Sequence, residues 1–471
     1  MPGMHTSATC AIDLPALRSC TTFDDVCELL ETHHGPLTVW ELDPTTVEEI
    51  TQRQRKAFGP FFKSQIPVHH RDLSMYDFRF VDRLDEPGEV AVQLDEFLKV
   101  REETAAVVIG PSGCGKSFEL VDFARHHFCI FIDCTISEYA LGDINYRDLE
   151  SDVRRHLVEV ARDGKQDAAR DICQIDVIAR YAAFHHARRL IPNLTPEQWL
   201  NIQLSPRGQA LIQELVGWFR HMNLEQRNSI ALGASEAIPL VIDEAGVMRS
   251  CLKEDLVSRA VSGGQQRVVE EKYHRGLLGA YAEGFIRCFD RSKIIMAGTD
   301  IHLGDTEVLF SDHEKSGVRP VKITGFAAWP ASRMRRFLER HLDLSGVNTG
   351  ILQKRILRGR PRWCERIIRD LPSFLKDAHS KQSAFDTAVE QLAGRLVSDS
   401  ETKRRIEMAY NSNSALVSSV IKSSILSDQS WTESDAEAAA VLAERVCYLR
   451  KPTLYNSQLY GLRINEVTLV C

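Results

Sequence analysis

No stretch of this 471-residue chain approaches the roughly 18 consecutive apolar residues that a membrane-crossing helix needs. The first twenty residues also lack the basic start and apolar centre of a secretory signal. These absences predict an intracellular protein, cytoplasmic or nuclear, with no membrane partner. The 12 cysteines form no Cys-x-x-Cys pair and no zinc-ligand spacing, which predicts free thiols in a reducing compartment. His-His pairs occur at 33–34, 69–70, 126–127 and 185–186, but no Cys or carboxylate partners stand at ligand spacing, so a metal centre is not expected there. Internal repeats and long low-complexity stretches are absent. The net charge of −7 argues against a broadly basic nucleic-acid surface. Apolar residues at 44% and charged residues at 26% are ordinary for a globular chain, and the length suits about three domains with a large core.

What is present is concentrated in a few short motifs. Residues 110–117 read Gly110-Pro111-Ser112-Gly113-Cys114-Gly115-Lys116-Ser117, a complete G-x-x-x-x-G-K-S phosphate loop. The apolar run Thr104–Ile109 before it predicts a buried strand. The stretch after it puts Phe118, Val121, Phe123 and Ala124 roughly on one helical face. Strand, glycine turn and helix is the setting this motif requires. Glycines let backbone N–H groups turn inward around a phosphate, and the helix N-terminus adds partial positive charge. Lys116 is placed to reach the β- and γ-phosphates and Ser117 to ligate Mg²⁺. The Cys114 side chain is expected to point away from the phosphates.

A second motif is the strand-like Ile238–Glu244, which ends in two carboxylates. Asp243 is the candidate for the Mg²⁺ shell and Glu244 for polarising the attacking water. No Asn-Lys-x-Asp guanine-reading motif occurs, which favours ATP over GTP. A third run, Ser292–Ala297, is followed by Gly298, Thr299 and Asp300; Thr299 is either a γ-phosphate contact or part of an ordinary turn. Phe128–Asp133 and Pro320–Thr324 complete a set of five apolar runs separated by helical stretches, which predicts a parallel sheet with helices on both faces. Val261–Arg267 nearly spells the signature of ABC transporter ATPases. It follows the Asp-Glu strand, however, where that signature would precede it.

The order of phosphate loop, Asp-Glu strand end and Gly-Thr strand end resembles the P-loop ATPases with an extra central strand and a catalytic Glu. Within them it is similar to the AAA+ and STAND groups. Phe80-Val81-Asp82-Arg83 looks like the hydrophobic-plus-Arg box upstream of those cores. Gly359-Arg360-Pro361-Arg362 is similar to the Gly-x-Pro element of the STAND helical lid, which in that family packs beside the nucleotide base. The resemblance implies a three-layer αβα core with a five-stranded parallel sheet, followed by a helical lid and a mostly helical C-terminal region. It also implies Mg²⁺-dependent ATP hydrolysis, nucleotide contacts at residues 110–118, Arg360 and Pro361, and self-association on ATP binding. The layout further resembles the ATPase module of Crinkler/RHS-type effectors, although neither a translocation motif nor a nuclease-like signature stands beside it.

The boundaries expected are 1–75 for an N-terminal region of unread role, 76–325 for the ATPase core with a helical insertion at about 140–230, 326–378 for the lid, and 379–471 for a C-terminal α+β region. The chain stops at Val470-Cys471 after an apolar run, which suggests a truncated or missing downstream part. Residues 351–370 hold seven Lys/Arg against two acidic residues. Such a patch suits nucleotide phosphates, a nucleic-acid backbone or simply a solvated helix face.

Overall fold

A computed structural model describes residues 14–33, 44–68, 73–84, 88–100, 104–110, 113–134, 166–232, 238–250, 276–289, 293–298, 320–326, 329–353, 360–376 and 378–398. Pro111, Ser112, Val261–Arg267, Thr299, Gly359, the strand-like tail and most of the C-terminal region lie outside these residues.

In chain order the helices and strands are α1 Leu14–Ser19, α2 Phe23–His33, α3 Pro44–Phe58, α4 Glu89–Lys99, β1 Ala105–Val108, α5 Lys116–His126 and β2 Ile130–Asp133. Four helices follow: α6 Gln166–Leu190, α7 Pro196–Leu204, α8 Pro206–Arg220 and α9 Leu224–Leu232. Then come β3 Leu240–Asp243, α10 Ala245–Ser250, α11 Gly276–Cys288, β4 Ile294–Ala297 and β5 Pro320–Ile323. The described chain closes with α12 Ala331–His341, α13 Pro361–Leu375 and α14 Lys381–Ser398.

All five apolar runs are strands of one parallel sheet in the order β2-β3-β4-β1-β5. The fold is therefore α/β with a P-loop core, and β4 is the extra strand separating the phosphate-loop strand from the Asp-Glu strand. β1, β3 and β4 are buried along their whole length. Continuous burial explains why their sequences are unbroken apolar runs rather than alternating ones.

The chain divides into two compact units, with the cuts falling inside α5 and β4. One unit holds α1, α2, β2, the helices α6 to α11 and β3. Its long helix α6 packs against α8, α11 and α2. Gly284 of α11 allows the close crossing, because a Cβ there would lie 3.1 Å from the Gln174 backbone nitrogen of α6. Helix α7 begins with a capping box: the Thr195 hydroxyl accepts from the Gln198 N–H at 3.2 Å, and the Gln198 side chain accepts from the Thr195 N–H at 3.0 Å. The same helix covers the outer edge of β2. Gln203 accepts a hydrogen bond from the Phe131 N–H at 2.8 Å and donates to the Cys129 carbonyl at 3.0 Å, while Trp199 Nε1 donates to that carbonyl at 2.7 Å. Side chains thus take the place of a sixth strand and blunt an edge that would otherwise offer pairing groups.

The other unit holds α3, α4, β1, most of α5, β5 and α12 to α14. Its apolar cluster joins Phe58, Phe61, Ile66, Phe78 and Val81 to Met334, Phe337 and Leu338 of α12, Trp363 and Ile367 of α13, and Phe385 and Val389 of α14. Residues before the first strand therefore complete the core formed by α12, α13 and α14.

Candidate functional site

The strand β1 feeds a turn whose glycines do what their positions require. Gly113 has φ +76° and Gly115 φ +106°, left-handed values that L side chains rarely adopt. At Gly110 a Cβ would meet Cys114 Sγ at 2.6 Å and the Phe326 ring at 2.7 Å. The turn closes against its own helix, since Lys116 Nζ donates to the Gly110 carbonyl at 2.8 Å. Lys116 is 5% exposed. It opens α5 beside the half-buried Ser117 and Phe118. Cys114 is buried. Burial pushes its thiol up, against the opposing pull of the Lys116 charge, so the side chain stays neutral and packed rather than reactive.

Two residues of α13 lean on this turn. The Arg362 N–H lies 3.5 Å from the Gly113 carbonyl, and a Cβ on Gly113 would sit 2.9 Å from the Arg362 Cβ. Pro361 comes within 3.7 Å of the Cβ position of Gly115. Arg360 stands at the N-cap position of the same helix, its guanidinium 5.6 Å from the Trp363 ring centre. Arg362 and Pro361 at the start of α13 thus touch the phosphate loop. Gly359 and Arg358 lie outside the described residues.

In the other unit β3 ends at Asp243, which is 1% exposed, and its neighbour Glu244 is half-buried. Asp243 Oδ1 accepts from the Glu244 N–H at 3.0 Å, and the Asp243 carbonyl accepts from the Cys134 N–H at 3.1 Å. Glu244 has φ +49°, a left-handed conformation costly for a residue with a Cβ. Strain of this kind is concentrated at functional sites. Thr299 lies outside the described residues, and β4 covers Ile294–Ala297 of the run expected as a strand.

The sequence singled out Arg83 as part of a box but gave it no partner. Its guanidinium forks onto two carboxylates of α5: 2.7 Å to Glu119 Oε2 and 2.7 Å to Asp122 Oδ2, with second contacts of 3.2 Å to each residue. It also lies 5.3 Å from the Phe118 ring centre. The available signal was a pair of acidic residues three apart just after the phosphate loop, which calls for a counter-ion.

Among the described residues no group of His, Cys, Asp and Glu could hold a metal ion by itself, and no helix is long and apolar enough to cross a membrane. No protein-family profile and no curated protein sequence matches the chain. Among solved structures it is similar to a Walker-type ATPase of Pyrococcus abyssi, with 16% identity and a TM-score of 0.38 over 87% of this chain and 98% of that one. Likeness at that level fixes neither activity nor subtype.

Proposed function

We propose that this chain binds and hydrolyses ATP with Mg²⁺ and is an ATPase of the AAA+/STAND kind. The observation that carries the reading is the turn after β1. Gly113 and Gly115 take left-handed φ values, and Lys116 opens the helix that follows. Backbone N–H groups in such a turn face an anion, and the helix N-terminus favours it. In this reading Lys116 and the loop from Gly110 to Phe118 bind the β- and γ-phosphates, and Ser117 and Asp243 hold Mg²⁺. Mg²⁺ supplies neutralisation of charge on the phosphate oxygens. Glu244 accepts a proton from the attacking water, and Thr299 senses the γ-phosphate. The strand order, with β4 separating β1 from β3, supports the class that uses a catalytic Glu.

A second reading, a nucleotide-gated switch with negligible turnover, is favoured by the contact of Arg362 with Gly113. In this reading phosphate binding alters that contact, and binding alone shifts α13. Equilibrium binding of ATP to the wild type and to Lys116→Ala tests what the two readings share. Micromolar-range binding that is lost in Lys116→Ala supports both; binding unaffected by the substitution refutes both. Self-association on adding ATP favours a ring-forming or switch assembly over a monomeric enzyme.

A further inference from the structure

We infer that Arg83 is a positioning residue for the phosphate loop: it neutralises Glu119 and Asp122 so that the start of α5 stays electrostatically open to a triphosphate. The inference rests on the nucleotide reading above and goes beyond it. Glu119 lies one turn into α5, on the helix whose N-terminus is the proposed phosphate site. A carboxylate there lowers the positive potential that the helix end presents to an anion. Asp122 adds a second negative charge one turn further on. Arg83, Glu119 and Asp122 have only 12%, 13% and 14% side-chain exposure, so water screens these charges poorly.

The charge balance is visible in the ion pair itself. Burial works against the Arg83 charge, but the hydrogen bond and charge of Glu119, followed by those of Asp122, raise its pKa above the ordinary arginine value. The guanidinium is also fixed in place. Val81 is buried in the apolar cluster with Trp363, the Arg340 side chain holds the Asp82 carbonyl, and Phe118 packs on the same cluster beneath the Arg83 fork. One arginine thus ties the lid core to the second turn of the phosphate-loop helix.

The electrostatic role has a signature that a merely structural one lacks. Arg83→Ala leaves two carboxylates uncompensated, so ATP affinity should fall roughly tenfold or more, and ADP affinity less, because the opposed ligand charge is smaller. Adding Glu119→Gln and Asp122→Asn to Arg83→Ala should return ATP affinity to within about threefold of wild type. Glu119→Gln/Asp122→Asn alone, with Arg83 intact, should bind ATP at least as tightly as wild type, and it keeps the test sound if Arg83→Ala folds poorly. Calorimetric titration with ATP, ADP and adenosine reads all of these. Equal losses for ATP and adenosine, or no rescue by the neutral pair, overturn the inference alone. Failure of the wild type to bind ATP overturns the nucleotide reading together with it.

Discussion

The backbone N–H of Arg362 points at the carbonyl of Gly113 from 3.5 Å, so the first turn of α13 rests on the phosphate loop. Gly113→Ala would meet two obstacles there. Its φ of +76° penalises a Cβ, and that Cβ would stand 2.9 Å from Arg362 Cβ. The expected cost is on the order of 1–3 kcal/mol of local strain, read as at least a tenfold loss of ATP affinity. Gly394→Ala is the control. Nothing lies within 4 Å of its Cβ position in α14, and removing a helical glycine there should stabilise by roughly 0.5–1 kcal/mol.

Gln203 is fully buried and both bonds it makes to the β2 edge are to backbone. Gln203→Leu leaves the Phe131 N–H without its acceptor. The expected destabilisation is about 1–3 kcal/mol, with faster amide exchange at Phe131 as the specific readout. Unchanged protection at Phe131 would mean that the helix does not close the edge.

His341 sits under the apolar cluster, with ring centres 5.3 Å from Phe337 and 6.3 Å from Phe78. Neither ring nitrogen has a hydrogen-bond partner among the described residues. Burial, then the nearby charges of Arg340 and Lys63, lowers its pKa to about 4. The unfolded chain takes up that proton near pH 6.5 and the folded one only near 4, so the unfolded state binds more protons across this window. Stability contributed at His341 is therefore complete above pH 6.5 and is lost as pH falls toward 4, by up to roughly 3 kcal/mol. His341→Leu should flatten this part of the denaturation profile while leaving the neutral-pH midpoint little changed.

The strands were legible because each is a buried, locally apolar run, and the phosphate loop because its glycine spacing states the backbone geometry outright. What escaped the sequence depends on partners distant along the chain. Phe58 and Phe61 complete a core with α12 and α13, and nothing near residue 60 announces this. Gln203 and Trp199 look like ordinary helix residues until β2 is seen to be an edge strand. Arg83 carries no local sign that its counter-ions lie 36 and 39 residues ahead. Glu244 was chosen for its carboxylate. Its left-handed φ is a separate observation that only the folded chain supplies.

Steady-state ATP hydrolysis by the wild type beside Glu244→Gln tests the central proposal most directly. The wild type should turn over ATP only with Mg²⁺. Glu244→Gln should keep ATP affinity within about threefold and lose turnover by roughly 100-fold or more, as expected for removing a general base. Wild-type binding without turnover would leave the gated switch standing in place of the enzyme. Turnover undiminished in Glu244→Gln would contradict the assignment of Glu244.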